Sequence, residues 1–203
     1  NMMSFWKRFS YNRGAVIGLV ILTFVVAAAI LAPILFPQSP WKMVQRPFLP
    51  PFTQDGLMLG TDALGRNVLA GLAHGAYVSL LVGLVSTIVA LAIGVPVGAA
   101  AGYFAGRIDD ALMRFTEFFQ TIPSFALAIV LLAIFQPSLT FVIIAISIVS
   151  WPPVARLVRG EVLSLRTREF VEAASLSGLG NLQIITRHIL PNALPPIIVL
   201  ASL

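Results

Sequence analysis

The sequence contains no cysteine, only two histidines and few charged residues, which make up 10% of its 203 positions. Without cysteine there are no disulfides, no thiol chemistry and no cysteine metal ligands. Neither His74 nor His188 has an acid nearby at the spacing of a Ser-His-Asp site. The phosphate-binding pattern G-x-x-x-x-G-K-[ST] is also missing. These absences predict a chain that has no catalytic residues and no metal site and does not hydrolyse ATP through such a loop.

The scarcity of charge argues against an ordinary water-soluble domain, in which about a quarter of the residues are charged. Hydrophobic residues make up 58% of the chain and the mean hydropathy is +0.94. The apolar residues form long blocks, and the net charge of +5 comes from short basic stretches between those blocks. This pattern is typical of membrane proteins rather than of nucleic-acid binding, so the sequence predicts an all-α, polytopic transmembrane helical bundle.

Apolar runs long enough for a bilayer core of about 30 Å mark the spans. A break at Gln136-Pro137-Ser138 separates the third run from the fourth, and a fifth span opens near Pro191 or Asn192. The chain stops at Leu203 within this fifth run, so we expect its C-terminal end to be incomplete. The four earlier predicted spans are Ala15–Phe36, Tyr77–Gly102, Phe118–Phe135 and Leu139–Ala155.

The first span has an alternative interpretation as a signal peptide. Lys7, Arg8 and Arg13 would form its basic region, and Ala27 to Ala29 its cleavage zone. The apolar run is longer than the 7–15 residues of a typical signal core, which favours an uncleaved helix.

The distribution of basic residues predicts the orientation. Three lie in the N-terminal tail, two in a short charged loop between Arg107 and Arg114, and five between Arg156 and His188, whereas the other connections hold only three. We therefore expect a cytoplasmic tail at 1–14, an extracytoplasmic loop at 37–76 and a cytoplasmic loop at 156–190. His74 and His188 fall on opposite sides of the membrane in this topology and cannot share a metal.

Glycines recur at four-residue intervals in the second span and just beyond it. This spacing places them on nearly one helix face, where another helix can approach closely in lipid. The face could serve packing within the chain or an interface between subunits. Its members are Gly94, Gly98, Gly102 and Gly106.

The cytoplasmic loop predicts two short helices joined by a turn. Thr167 is a candidate N-cap for the first helix, and Asn181 for the second. Gly178 and Gly180 supply the backbone freedom for the turn between them. Leu182, Ile185 and Ile189 are predicted on one side of the second helix. From the residues alone, this hairpin could dock on another protein or pack beneath the bundle.

This loop resembles the EAA loop of ABC importer permeases. Glu172-Ala173-Ala174, Gly178 and Leu190-Pro191 stand at the family spacing. His188 departs from the general pattern, but the segment Arg187 to Asn192 looks like the version in peptide and nickel permeases.

A second resemblance lies in the extracytoplasmic loop. Leu59 to Asn67 is similar to the L-G-T-D-x-L-G-R-D segment of the second permease of dipeptide, oligopeptide and nickel systems, with Asn67 in place of the final Asp. The motif residues carried over from the family are Gly60, Thr61, Asp62, Gly65 and Arg66.

The resemblance implies a permease of six spans in a bacterial or archaeal cytoplasmic membrane, working by ATP-driven alternating access. It implies as partners a second permease subunit, two cytoplasmic ABC ATPases that carry ATP and Mg, and an extracytoplasmic solute-binding protein. The chain itself would bind no cofactor and would not be an enzyme. The residues implied in ATPase docking are Glu172, Ala173, Ala174, Leu176, Ser177 and Gly178, with His188, Leu190 and Pro191 as the loop-end motif.

Two other function classes remain open from the residues. A stand-alone secondary transporter or channel would need ionisable or strongly polar groups inside the membrane, and the spans offer few. A non-transport membrane scaffold would leave the EAA spacing as a coincidence. The cargo also stays open, because dipeptide, oligopeptide, glutathione and nickel systems share these motifs.

Overall fold

The computed structural model describes residues 9–135 and 138–202. These residues form helices and turns, with two isolated β-bridges in the connection after the first helix. The chain divides into two compact units, Asn1–Leu81 and Val82–Leu203. The all-α prediction is confirmed. The helices are α1 (Arg13–Leu35), α2 (Val68–Phe104), α3 (Gly106–Thr121), α4 (Ser124–Ile134), α5 (Leu139–Leu165), α6 (Glu169–Leu176), α7 (Asn181–Ile184) and α8 (Leu190–Ala201), with the π-helix Ile185–Ile189 between the last two.

Four helical segments are long and apolar enough to cross a membrane, and a fifth crossing is counted if α3 and α4 form one bent span. The prediction of five spans corresponds to this upper count. The last segment, Asn181–Ala201, runs without interruption from the predicted cytoplasmic hairpin into the predicted fifth span. A single rod therefore connects the hairpin to the membrane.

In the first unit, α1 begins where Asn12 caps it, its Oδ1 accepting the amide of Ala15 at 3.2 Å. Large apolar side chains such as Phe24 and Ile30 are exposed on this helix. Such a surface is unfavourable in water, and its contacts are with lipid or another chain. The imidazole of His74 on α2 donates through Nε2 to the carbonyl of Phe36 at 3.0 Å, which joins the end of α1 to α2.

Helix α2 starts at Val68, well before the predicted Tyr77. Asn67 accepts the amides of Leu69 and Ala70 at 3.0 and 3.2 Å, the bonding of an N-cap. Its Nδ2 also donates to the carbonyl of Gly56 at 3.2 Å. A carboxylate could cap the helix equally well but could not donate this last bond, so Asn67 has a structural function as an amide.

The predicted continuous span Phe118–Phe135 is wrong. The chain bends by 74° between α3 and α4. Pro123 has no N–H for the helical ladder and drives the residue before it to an extended conformation, and Ile122 has φ −84° and ψ 126°. The predicted charged loop Arg107–Arg114 is also wrong, because it forms the start of α3.

Helix α5 begins where Ser138 Oγ accepts the amide of Phe141 at 3.3 Å. It continues past the predicted end of the span at Ala155 to Leu165. The charges that follow Ala155 end the apolar run, but they do not end the helix. Residues of this helix form part of the hydrophobic core of the second unit. The fully buried residues of that core include Val158, Val162, Ile184 and Ile189.

Part of the predicted N-terminal tail, residues 1–8, lies outside the described residues. So do Gln136 and Pro137 of the predicted break between the third and fourth spans.

Candidate functional site

The predicted cytoplasmic hairpin is present in the structure, but its caps differ from the prediction. The N-cap of α6 is Arg168, not Thr167, whose hydroxyl instead donates to the carbonyl of Ser164 at 3.4 Å. Asn181 is the first residue of α7, not its cap. The second arm continues from α7 through the π-helix into α8.

One face of the hairpin packs on the core of the second unit. Val171 and Ala174 of α6 are buried there, together with three isoleucines of α7 and the π-helix. Burying an isoleucine side chain contributes about 1.5–3 kcal/mol, so the hairpin is held as a rigid part of the unit. Leu182, predicted on the same side as Ile185 and Ile189, is instead 73% exposed. The three buried isoleucines are Ile184, Ile185 and Ile189.

The turn after α6 depends on Gly178, whose φ is +80°. The amide of Gly178 donates to Ser175 and the amide of Leu179 donates to Ala174, at 3.0 and 3.3 Å. These two bonds form a Schellman motif, which requires a left-handed residue at the position of Gly178. A side chain there is strained whatever the available space.

The other face of the hairpin is exposed, and it contains five of the six residues implied in docking. Leu176, a large apolar residue at the end of α6, is 84% exposed. Glu172 is exposed, and its carboxylate accepts no hydrogen bond from the described residues. The sixth residue, Ala174, is buried, so its small size serves packing inside the unit. The exposed residues are Glu172, Ala173, Leu176, Ser177 and Gly178.

Polar bonds join the hairpin to the C-terminal end of α2. The hydroxyl of Tyr103 donates to Asn181 Oδ1 at 3.1 Å, and Arg166 Nη1 donates to the carbonyl of Tyr103 at 3.2 Å. A cation at the carbonyl end of a helix is favoured by the helix dipole. Sequence reasoning missed these contacts because no local spacing relates the partners.

The loop-end motif coincides with the π-helix. The amide of Leu190 donates five residues back, to Ile185. Pro191 has no N–H to continue an α-helical ladder, which accounts for the widened turn just before it. His188 is half-buried, and its carbonyl accepts from Asn192 Nδ2 at 2.6 Å.

The glycine face of α2 lies against α5 within the same unit. A Cβ on Gly94 would lie 2.7 Å from Val154, and one on Gly102 would lie 2.7 Å from the carbonyl of Arg159. A Cβ on Gly98 would collide with the carbonyl of Ala155. Of the two alternatives, packing within the chain is the one that these contacts support.

Gly106, the fourth glycine of the predicted face, lies outside this contact. A Cβ there would meet nothing within 4 Å, and its φ of +55° places it in the turn that opens α3. Because α2 ends at Phe104, the four-residue spacing no longer describes one helix at this position.

A bidentate ion pair, missed at the level of sequence, joins α3 to α5. Arg159 donates through Nε and Nη2 to the two carboxylate oxygens of Asp109, both at 2.5 Å. Asp109 is only 8% exposed. Asp110 and Arg114, four residues apart in α3, are not among the ion pairs of the described residues.

The extracytoplasmic motif forms a compact turn in the first unit. Gly60 and Gly65 have φ values of +72° and +71°. The buried Thr61 donates its hydroxyl to the carbonyl of Arg46 and accepts the amide of Leu49, at 2.7 and 2.9 Å. The turn therefore orders the preceding loop.

Asp62 closes the same turn. Its carboxylate accepts the amides of Leu64 and Arg66 at 2.8 and 2.9 Å and pairs with the Arg66 guanidinium at 2.7 Å. The hydrogen bond from the backbone amide of Arg66 is the main cause that holds the pKa of Asp62 below its ordinary value of 3.8. The side chain of Arg66 lowers this pKa further. The guanidinium of Arg66 also stacks over Trp41, 5.3 Å from the ring centroid. These contacts give the motif residues a structural explanation.

The described residues contain no group of three or more His, Cys, Asp or Glu side chains arranged to hold a metal ion.

Comparison with known proteins gives two family matches. Residues 94–203 match the family described as the binding-protein-dependent transport system inner membrane component. Residues 2–55 match the family described as the N-terminal TM domain of oligopeptide transport permease C.

Three relatives illustrate the similarity. The di/tripeptide transport system permease protein DppC of Pseudomonas aeruginosa is 38% identical over 100% of this chain and 68% of its own length. The oligopeptide transport system permease protein OppC of Haemophilus influenzae is 38% identical over 97% and 64%. The dipeptide transport system permease protein DppC of Alkalihalophilus pseudofirmus is 40% identical over 98% and 65%. The chain thus spans about two thirds of the length of each relative.

Proposed function

Because the chain belongs to the family of binding-protein-dependent transport system inner membrane components, we propose that it is a permease subunit of a peptide importer powered by ATP hydrolysis. The chain is a multi-pass inner-membrane transport component. It would share the translocation pathway with a second permease subunit and receive its cargo from an extracytoplasmic solute-binding protein. Alternating access of the spans would carry the cargo inward.

Peptides are the cargo that we propose, because the relatives are named for di- and tripeptides, dipeptides and oligopeptides. Nickel, which the sequence motifs also allow, receives no comparable support from those names.

ATP and magnesium would bind two cytoplasmic ATPase subunits, which would dock on the hairpin. One observation carries this part of the proposal: a rigidly packed hairpin presents Leu176 to its surroundings, 84% exposed. Its second arm continues through α7 and the π-helix into α8. Force applied at the hairpin would therefore reach a span without an intervening loop.

The proposed orientation has the N-terminus in the cytoplasm of a bacterium or archaeon. The greater number of basic residues in the tail, near the start of α3 and in the 156–190 segment supports it. The hairpin would then face the ATPases, and the turn at Asp62 would face the binding protein.

The test replaces single glycines in the turn of the hairpin. Transport is measured with the assembled complex, which is isolated by purifying this chain. Gly178→Val places a β-branched residue at φ +80°, where it disrupts the turn. We expect it to reduce ATP-dependent tripeptide uptake by more than ten-fold while the protein remains inserted in the membrane.

Gly180→Ala is the matched control, because Gly180 has φ −70° and open space around a Cβ. It should transport as the unsubstituted protein does. Equal uptake by the two variants would show that transport does not depend on the turn of the hairpin. ATP-independent uptake by the isolated chain would instead identify a stand-alone transporter or channel.

A further inference from the structure

A cavity of about 460 Å³ lies within the second unit, between α2, α4, α5 and α8. Its walls are apolar apart from four hydroxyl side chains, and no ionisable residue lines it. Two of the four, Thr87 and Ser150, lie near the middle of the membrane-crossing helices α2 and α5. The other two hydroxyl residues are Ser86 and Ser124.

The hydroxyls of Thr87 and Ser150 differ from several others on the helices of this chain. A serine or threonine in a helix commonly donates to the carbonyl four residues back. Thr23, Thr116 and Ser147 do so, at 2.7–2.8 Å. In the described parts of the chain, the hydroxyls of Thr87 and Ser150 have no such bond and no other protein partner.

Both residues are half-buried, and their hydroxyls are accessible from the cavity. A polar group that faces an apolar cavity gains free energy from a hydrogen-bonding partner in that cavity. Here each of the two could have bonded to its own helix, as Ser147 does one turn before Ser150. Both instead line one cavity. Both hydroxyls gain hydrogen-bond partners when a ligand with donors and acceptors occupies the cavity.

The cavity favours a peptide over other occupants. Lipid acyl chains offer no hydrogen bonds to the hydroxyls, and the lining has no carboxylate or imidazole to hold a divalent metal ion. The volume lies within the 300–1,000 Å³ of small-ligand pockets. Uncharged hydroxyls among apolar walls suit a ligand whose backbone amides are constant and whose side chains vary.

Resting on the function proposed above, we propose that this cavity is a substrate-contact site in which Thr87 and Ser150 hydrogen-bond the backbone of the peptide in transit. The apolar remainder of the wall, which includes Ile146 and Leu200, contacts the peptide side chains. It does not select peptides by the charge of those side chains. The site lies near the middle of the spans, as substrate sites of transporters commonly do.

Transport kinetics of the assembled complex test the site. Thr87→Val and Ser150→Ala remove one hydroxyl each with little change of shape. Each should raise the peptide concentration for half-maximal uptake about three- to ten-fold, the loss expected for one hydrogen bond.

Ser147→Ala is the matched control, since it makes the same substitution on the same helix at a hydroxyl bonded to Ile143. It should leave uptake unchanged. Unchanged half-saturation in both cavity variants would overturn the site while leaving the importer assignment intact. Absence of peptide uptake by the unsubstituted complex would reject the importer assignment itself.

Thiol labelling gives a second readout that does not depend on turnover. The chain has no cysteine, so Ser150→Cys introduces its single thiol. In the resting complex, a charged, membrane-impermeant methanethiosulfonate should label this thiol, and a transported tripeptide should slow the reaction at least several-fold.

Ser147→Cys, at a buried position, should not react. Reaction of Ser150→Cys only with a lipid-soluble maleimide would indicate a lipid-facing groove and contradict the proposal. Labelling that the peptide does not slow would indicate a water-filled cavity that is not a substrate site, and would also contradict it.

Discussion

At the scale of single residues, two carboxylates of the chain each accept more than one hydrogen bond. Asp62 satisfies two backbone amides and one guanidinium at once, whereas Asp109 occupies a nearly buried position with both oxygens paired to Arg159. The planar guanidinium matches a carboxylate with two parallel bonds, which a lysine could not supply. The first pair lies within one turn, and the second joins α3 to α5.

Asp62 gives the first turn a dependence on pH. A carboxyl with a lowered pKa stabilises the folded turn above its ordinary value of 3.8, and this stabilisation is lost as the pH falls through the lowered value. We expect the amides of Leu64 and Arg66 to keep constant protection from hydrogen exchange, corrected for intrinsic rates, from neutral pH to about 3.8. Below that pH, protection should fall.

Asp62→Asn is the control for this titration. Its amide oxygen still accepts from the backbone, but it loses the pair with Arg66 and does not titrate. The variant should show lower protection at neutral pH and no acid-dependent step. A step of equal size in both proteins would show that another group governs the acid response.

At the scale of elements, close approach of α2 and α5 organises the second unit. Gly94, Gly98 and Gly102 let the two backbones meet, and the same stretch of α5 directs Arg159 toward α3. Packing of this kind, rather than the hydrophobic effect, drives helix association in lipid.

The contact predicts an asymmetry between identical substitutions on α2. Gly98→Ala places a methyl group against the Ala155 carbonyl and forces the helices apart, which costs about 1–3 kcal/mol of stability. Gly75→Ala meets nothing within 4 Å and gains helix propensity of up to about 1 kcal/mol. In detergent-solubilised protein, Gly98→Ala should lower the thermal midpoint and Gly75→Ala should not. Equal midpoints would contradict the contact.

The sequence predicts the helices better than their ends and their contacts. Apolar runs identify α1, α2, α5 and α8 because lipid solvation requires length and composition alone. The ends of α2 and α5 are missed because Asn67 caps the helix before its apolar run begins and because charges after Ala155 do not break a helix. The bend follows from Pro123, which is readable locally, although the apolar run hides it.

The candidate site likewise has features that the sequence predicts and contacts that it does not. The left-handed turn at Gly178 follows from local sequence, since glycine tolerates that conformation. Contacts such as Tyr103 to Asn181 join residues 78 positions apart and have no local spacing to reveal them. The burial of Ala174 is also a tertiary property, because an alanine suits both a packed and an exposed helix face.

At the scale of the whole molecule, the two units contain different features of the chain. The first unit contains α1 and the turn at Asp62, and the second contains the hairpin, the glycine contact and the hydroxyl-lined cavity. The proposed function assigns the energy source to partner subunits and their docking to the hairpin.

Site-specific photo-cross-linking from the hairpin tests that assignment most directly. A photoreactive phenylalanine analogue replaces Leu176 in the assembled complex, and the same analogue replaces Met58, exposed in the extracytoplasmic loop, as the control. The account predicts a covalent product with a cytoplasmic ATPase subunit from position 176 and none from position 58. Absence of that product from position 176, or an equal product from both positions, would contradict it.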